Sequence, residues 1–519
     1  MEYCAFAAQV CSTLSRRWLC GGQWVGVARH LLCDGTRMIR DFQQGKNLSH
    51  YDVCVIGAGP AGITLALRLA AKGWRIALLE AGDREYSERS QAIYQAAQSS
   101  GADIYPGSTR LRYLGGTSNH WAGRCRPFER DDFMRPPKGG LPGWPIAFEE
   151  MQRYLPEAMQ ILDLPAEGFK AVNPDLPGGL FLADHWALSA PTRFGVKYAA
   201  ALQASNKLDL LLNCNCVELF YQSNGQELNG VKVADYNGQT AVIQAERYVL
   251  AMGALENARY LLHSDSMRAA KVPGLEWAGR AFMEHFNVGL GTFVYAESVP
   301  EADRQYFAGD VLAKQMGVGK DNVSLGILQE LKSYGRTAAV KTFLKKIACD
   351  MNIADKVQFI ANFNCPGAGQ IGTLLEQFPS RAGSRVTLLD ERDSFGVRKI
   401  KVHWELSQED QYSIRTIAKE FAMQFARAGL GFVRLSDFIL DEKKSIPVIP
   451  HAHHMGTTRM AASPDWGVVD KNCRVFGVNN LYVTGSSVFA TGGGGNPTMP
   501  LLQLTLRLAD HLHSLGRAG

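Results

Sequence analysis

The stretch Tyr51–Glu80, YDVCVIGAGPAGITLALRLAAKGWRIALLE, constrains this chain more than any other. Asp52–Ile56 is a short apolar run suited to a buried parallel strand. Gly57, Gly59 and Gly62 then supply a tight turn, a close backbone approach to a pyrophosphate, and close packing of helix against strand. Ile63–Ala71 reads as an apolar helix ending at Gly73, and Arg75–Leu79 as a second buried strand. Glu80 stands 18 residues after Gly62, where a carboxylate can accept hydrogen bonds from an adenosine ribose. A glycine-rich turn alone is weak evidence. Strand, turn, helix, strand and acid in register within 30 residues predict a bound dinucleotide.

The chain has 519 residues, too many for one simple core, so two closely built domains or one large α/β unit are expected. Hydrophobic content of 46% and charge of 20% are those of an ordinary globular protein. No run approaches about 18 uninterrupted apolar residues, so no membrane span is expected. The net charge of +5 is small, and residues 1–50 hold six Arg/Lys against three acids. A nucleic-acid surface would need a denser basic patch. Eleven cysteines are scattered without the CxxC pairing of a zinc or dithiol site, and their odd number, with no convincing signal peptide, favours a reducing, cytoplasmic setting. Ser15-Arg16-Arg17-Trp18-Leu19 is a faint match to a twin-arginine export signal, but Gln23, Arg29 and His30 break the segment that follows. Residues 1–44 are therefore read as a disordered or non-native extension, with Met38 as a natural start.

After Glu80, Leu111–Trp121 (LRYLGGTSNHW) reads as a loop packed against a ligand. Leu208–Leu212, Cys214–Phe220, Gly230–Tyr236, Thr240–Ile243 and Arg247–Ala251 read as strands, followed by a helix over Met252–Leu262 entered through Gly253. From about 285 to 440 the strand–helix alternation stops. Val288–Tyr295, Val323–Leu328, Val357–Ala361, Arg385–Leu389 and Lys399–Trp404 suggest one large antiparallel sheet, with helices near 338–350 and 408–428. The α/β pattern returns with a strand over Asn480–Thr484 and a helix over Thr498–His513. The fold class is thus α/β, α+β overall: a Rossmann-like cofactor domain from 45–130, 206–285 and 450–519, with a substrate domain from 131–205 and 286–449 inserted.

His451–Pro500 carries the second constellation. His451, His453 and His454 invite a metal reading, but on an extended segment 451 and 453 share a face while 454 points away. No nearby carboxylate or HExxH run completes a site, so no metal is expected. Gly492–Gly495 let the backbone pass close to a ligand, and Pro497 sits where a helix would begin.

These segments resemble the glucose–methanol–choline (GMC) oxidoreductase family over residues ~45–515 in motif order. VIGAGPAG with Glu80 matches its FAD-binding start, and LGGTSNHWAGRCRP resembles its flavin-contacting loop. LAMGALENARYLL and GRAFMEH are similar to central FAD segments, and SRVTLLDERDSFG to a substrate-domain strand. HHMGTTRM, NLYVTGSSVF and GGNPTMP resemble the closing block. The SNHW loop and the His/Asn pair place the resemblance nearest a branch that is pyranose 2-oxidase-like and bacterial sugar dehydrogenase-like. Ala122 departs from the hydroxyl residue or glycine common there, Met499 from the usual Leu, and residues 1–44 match nothing.

The resemblance implies one FAD. Gly57, Gly59, Gly62 and Glu80 would surround its ADP half, Val217 the adenine, Gly485 the pyrophosphate, and Asn496, Pro497 and Thr498 the isoalloxazine. Gly116, Asn119 and Gly253 would add contacts. It also implies a histidine before the loop tryptophan, here His120, joined covalently to the flavin 8α-methyl; the alternative is that His120 only packs against the ring edge. The expected reaction takes an alcohol group of a sugar, amino sugar or polyol to a carbonyl. Hydride would pass to flavin N5, with His453 as base (His454 next) and Asn496 as hydrogen-bond partner. Imidazole suits that base role, since its unperturbed pKa is near ~6.5. Oxygen, a quinone or a redox protein would take the electrons. An NAD-dependent dehydrogenase is the second reading. A flavin monooxygenase or disulfide reductase lacks a second fingerprint or a redox CxxC, and a flavoprotein subunit without its own activity fits poorly with the His/Asn pair.

Overall fold

The computed structural model describes residues 51–95, 97–134, 139–171, 173–296, 304–327 and 368–517, together with the backbone of 40–41. Expectations for residues 1–37, for a helix near 338–350 and for a strand over 357–361 fall outside these.

A six-stranded, wholly parallel sheet runs in the order Arg40–Asp41, Leu208–Leu212, Ile76–Leu79, Tyr51–Ile56, Ala245–Leu250 and Leu481–Val483. Its strands come from segments far apart in sequence. The central ones are buried on both faces: Val53, Cys54, Val55, Ile76, Ala77 and Leu78 have no exposed surface. That is why they read as continuous apolar runs rather than alternations. The strand order reverses beside Tyr51–Ile56, since the chain first builds toward Leu208–Leu212 and later returns on the other side. Such a switch point opens a crevice at the carboxyl ends of the strands.

Helix Pro60–Ala71 covers one face, with Pro60 at its first position, where the missing N–H costs nothing. The closing helix Thr498–Ser514 packs along it, and Asp510 joins the two by accepting from Arg68 (3.0 Å) and Lys72 (3.1 Å). Tyr154 donates to the same carboxylate at 3.1 Å, so part of the 131–205 segment is built onto the cofactor side. An antiparallel meander of Asn215–Gln222, Glu227–Ala234 and Thr240–Ile243 flanks the sheet.

The second large sheet is antiparallel and curled, ordered Gly431–Leu435, Gly291–Tyr295, Ala368–Leu374, Asn322–Ile327, Arg304–Ala308 and Phe181–Ala183. Helix Gln408–Arg427 lies on it. It starts at a reciprocal cap in which the Asp410 N–H donates to Ser407 Oγ (3.0 Å) and the Ser407 N–H to Asp410 Oδ2 (2.8 Å). Phe421 and Phe425 bury against Phe181, Tyr306, Phe293 and Tyr295.

Arg385–Arg392 and Arg398–Trp404, expected in this sheet, form a separate hairpin that pairs in parallel with Gln98–Gly101. Two contacts draw the hairpin away. Gly101 (φ +79°) approaches so closely that a Cβ would lie 2.1 Å from the Trp404 carbonyl oxygen. The buried Arg259 guanidinium, on helix Ala254–His263, reaches Asp393 and the Arg398 carbonyl oxygen, both at 2.6 Å. No described helix is long and apolar enough to cross a membrane.

Candidate active site

The glycine turn divides into packed and open positions. Gly57 takes φ +106°, and a Cβ there would lie 2.7 Å from the Ala251 carbonyl oxygen; one on Gly62 would lie 1.9 Å from that of Gly57. These two hold helix, turn and neighbouring strand together. Gly59, Gly253 and Gly485 differ: no atom comes within 4 Å of where a Cβ would stand. Each follows the carboxyl end of one of three adjacent parallel strands, and Gly485 is buried although space is open above it. The crevice therefore has a glycine-floored strip that no side chain fills. At its side, Glu80 accepts from the N–H groups of Gly82 (2.9 Å) and Ala58 (3.1 Å). Burial raises its carboxyl pKa, against the pull of those N–H groups and of Arg112.

The 111–121 loop lies on this turn. The Gly115 N–H donates to the Ala58 carbonyl oxygen at 2.9 Å, and a Cβ on Gly116 would lie 3.3 Å from the Gly59 Cα. Asn119 turns inward, donating from Nδ2 to the Leu114 carbonyl oxygen at 2.9 Å. Arg193 pins the loop through the carbonyl oxygens of Ser118 (2.7 Å) and Trp121 (2.9 Å). His120 is exposed at the loop's edge. Val217 is half-buried in the meander, where the pairing register shifts between Cys216 and Glu218.

The histidines are assembled by a short ladder. Phe286 pairs with Pro450 and Asn287 with Ile449, and a bridge joins Met283 to Met455. Glu284 and His285 are thereby set opposite His451–His454. His453 Nε2 is 3.0 Å from Asn496 Nδ2. Its Nδ1 is 3.1 Å from His285 Nδ1, and His285 Nε2 is 2.8 Å from the Gly493 carbonyl oxygen. His451 stacks on His453, with ring centroids 5.8 Å apart. His454 turns away to pack by Phe282, as the alternation of an extended segment requires. Pro497 precedes the closing helix, whose first residue is Thr498.

Burial sets the charge state here. It holds His453 well below the ordinary imidazole range, with His285, His451 and His454 adding to the effect. It takes His451 down to about 4 and His454 to about 3, and lowers His285 as well. Glu284 has no exposed surface, and burial lifts it to about 8. Its Oε1 accepts the His453 backbone N–H. Its Oε2 faces His454 Nε2 at 3.5 Å, and neither atom has a closer partner among the described residues. At neutral pH the cluster is four neutral imidazoles and one neutral carboxylic acid. Among the described residues no group of three His, Cys, Asp or Glu is placed to hold a metal.

Two findings depart from the sequence reading. Gly494 and Gly495 approach protein rather than ligand, since Cβ atoms there would lie 2.2 Å from the Phe307 ring and 2.6 Å from Arg126. Gly493 is fixed by its N–H to Glu376 (2.9 Å) and its carbonyl oxygen to His285. The loop is thus clamped on the antiparallel sheet, which aims Asn496. Sequence reasoning also missed His285, Glu284, Glu376 and Arg193. His285 stands 168 positions from His453, and its sequence signal was its place at the end of GRAFMEH.

A family model described as GMC oxidoreductase matches residues 379–505, and one described as FAD dependent oxidoreductase matches 52–279. The chain is 24% identical to 2-methyl-1,2-propanediol dehydrogenase of Mycolicibacterium austroafricanum, covering 89% of this chain and 95% of that protein. It is 21% identical to the fructose dehydrogenase large subunit of Gluconobacter japonicus, covering 88% and 97%. The structure of pyridoxine 4-oxidase from Mesorbium loti superposes with a TM-score of 0.56 at 18% identity, over 90% of this chain and 99% of that one. The chain carries a GMC oxidoreductase C-terminal domain, and its relatives and structural neighbours include members of that family.

It is an FAD-dependent enzyme of the GMC type, and the FAD match covers the segment that had left a nicotinamide cofactor open. The residues fit the group. The open strip over Gly59, Gly253 and Gly485 gives a pyrophosphate backbone N–H groups and no side-chain obstruction.

Proposed function

We propose that this enzyme oxidises an alcohol carbon of a small polyol or sugar to a carbonyl, with His453 as the base and Asn496 as donor to the reacting oxygen. The observation that carries this is the His453 Nε2–Asn496 Nδ2 pair at 3.0 Å, on an imidazole that burial keeps unprotonated. FAD, when bound over Gly59, Gly253 and Gly485, supplies the two-electron acceptor for the hydride leaving carbon.

The side chains do the rest. The Nε2 lone pair takes the hydroxyl proton as the C–O bond gains double-bond character. The Asn496 amide donates to that oxygen and stabilises the charge that develops on it. Gly493–Gly495, clamped by Glu376, Phe307 and Arg126, holds Asn496 at the distance where one substrate oxygen meets both groups. Glu284, neutral, fixes the His453 backbone without putting a charge beside the base.

The relatives' named substrates, a 1,2-diol and a ketose, both carry hydroxyls on adjacent carbons, and we extend that class to this chain. The test is anaerobic mixing of yellow, FAD-loaded enzyme with a panel of 1,2-diols, polyols and sugars, including 2-methyl-1,2-propanediol and D-fructose. Bleaching by members with adjacent hydroxyls is expected. A flavin that none of them bleaches, yet dithionite does, overturns the reading.

A further inference from the structure

We infer that His285 is a positioning residue that fixes which nitrogen of His453 carries the proton. The inference rests on His453 being the base. Three contacts in series have directions that only one arrangement satisfies. The Gly493 carbonyl oxygen can only accept, so His285 Nε2, 2.8 Å away, must carry a hydrogen. A neutral His285 then has a bare Nδ1. His453 Nδ1, 3.1 Å from it, must therefore be the N–H of its ring, which leaves Nε2 as the lone pair. The far end agrees independently: Asn496 presents its donor, Nδ2, to that same Nε2 at 3.0 Å. Hydrogen bonds run one way, from Asn496 to His453, to His285, to Gly493. Both ends lie on one clamped loop.

Two consequences follow for the reaction. The opposite tautomer, with hydrogen on Nε2, has no lone pair for the substrate proton, and His285 excludes it by offering an acceptor at Nδ1 and no donor. When His453 gains the hydroxyl proton at Nε2, its ring becomes cationic, and the bond from Nδ1–H to His285 becomes charge-assisted and stronger. That strengthening occurs only as the proton moves. It speeds reduction of the flavin and does not tighten substrate binding. His285 has no exposed surface and its Nε2–H already meets a carbonyl, so it holds the proton's position without passing it to solvent.

The test uses two substitutions that copy different halves of the ring. His285→Asn places its amide oxygen where Nδ1 stands and keeps an acceptor for His453. His285→Gln reaches the Nε2 position, keeps a donor for Gly493, and leaves nothing at Nδ1. Both are purified with FAD and compared with wild type by anaerobic stopped flow, with rates normalised to flavin content. The probe is whichever member of the diol and sugar panel bleaches wild type fastest. His285→Gln should reduce its flavin about 10- to 100-fold more slowly, the range for losing a charge-assisted hydrogen bond, with the substrate concentration for half-maximal rate unchanged. His285→Asn should recover most of that loss. Equal losses in both variants, a larger loss in Asn, or a loss seen only in substrate affinity would overturn the inference, since packing alone would produce them. His453→Ala, run alongside, separates the two ideas: if it reduces at the wild-type rate, the base assignment fails whatever His285 does.

Discussion

Replacing Glu284 by Gln asks whether a carboxylic acid sits neutral under His453. Glu284 is fully buried, and burial lifts its carboxyl to about 8, opposed in part by the N–H groups of His453, His285 and His451. In the unfolded chain it titrates near ~4.3. Between those values the folded protein holds a proton that the unfolded chain has released, so stability falls as pH rises, by about 1.4 kcal/mol per pH unit. From about pH 6 to about pH 7.5 the loss from this one group is about 2 kcal/mol. Gln copies the neutral acid: its oxygen can accept from the His453 N–H and its amide can face His454 Nε2, without a proton to lose. The assay is urea unfolding of FAD-loaded wild type and Glu284→Gln at both pH values. The difference between them should move in favour of Gln by about 2 kcal/mol as pH rises. Other raised groups, such as Asp410 at about 7, titrate in both proteins and cancel. A difference equal at the two pH values would show that Glu284 is ionised in the fold, and the neutral cluster would be wrong.

The glycine turn separates fold from cofactor. Gly62→Ala, whose Cβ would lie 1.9 Å from the Gly57 carbonyl oxygen, should destabilise the protein by about 3 kcal/mol or more. Gly59→Ala, with open space around its Cβ, should cost about 1 kcal/mol or less of stability but weaken FAD binding at least tenfold; equal effects of the two on melting would count against the cradle. Asn496→Ala should slow flavin reduction by about 100- to 1,000-fold with FAD content unchanged, and a wild-type rate would remove it from the site. For His120, on a loop that touches the glycine turn through Gly115 and Gly116, we propose the covalent flavin link. Yellow colour should stay with acid-precipitated wild type and leave with His120→Ala; flavin free in the wild-type supernatant rejects the link.

The cofactor half was legible because its signals are local. Strand, glycine turn, helix and acid at Tyr51–Glu80 each follow from neighbouring residues, and Leu208–Leu212 and Thr240–Ile243 appear where their apolar or branched runs put them. The His453–Asn496 pair was legible through its motifs. The antiparallel sheet was less so: Phe181–Ala183 and Gly431–Leu435 are short, and only pairing with distant strands makes them strands. The Arg385–Trp404 hairpin belongs to a different sheet from the one its sequence suggests because its partner, Gln98–Gly101, lies just over 300 residues away, and its anchor is a buried arginine. His285 and Glu376 escaped for the same reason: each acts through one atom on the clamped loop or the base, and no spacing in sequence records that.

In the proposed reaction His453 takes the proton while the alcohol carbon gives up a hydride. Anaerobic reduction of the bound flavin tests it, using the fastest panel alcohol with and without deuterium on the carbinol carbon, in wild type and in His453→Ala with equal FAD content. Slower reduction by the deuterated alcohol is expected in wild type, with a further fall of at least ~10²-fold in His453→Ala. A His453→Ala enzyme whose flavin bleaches at the wild-type rate would contradict it.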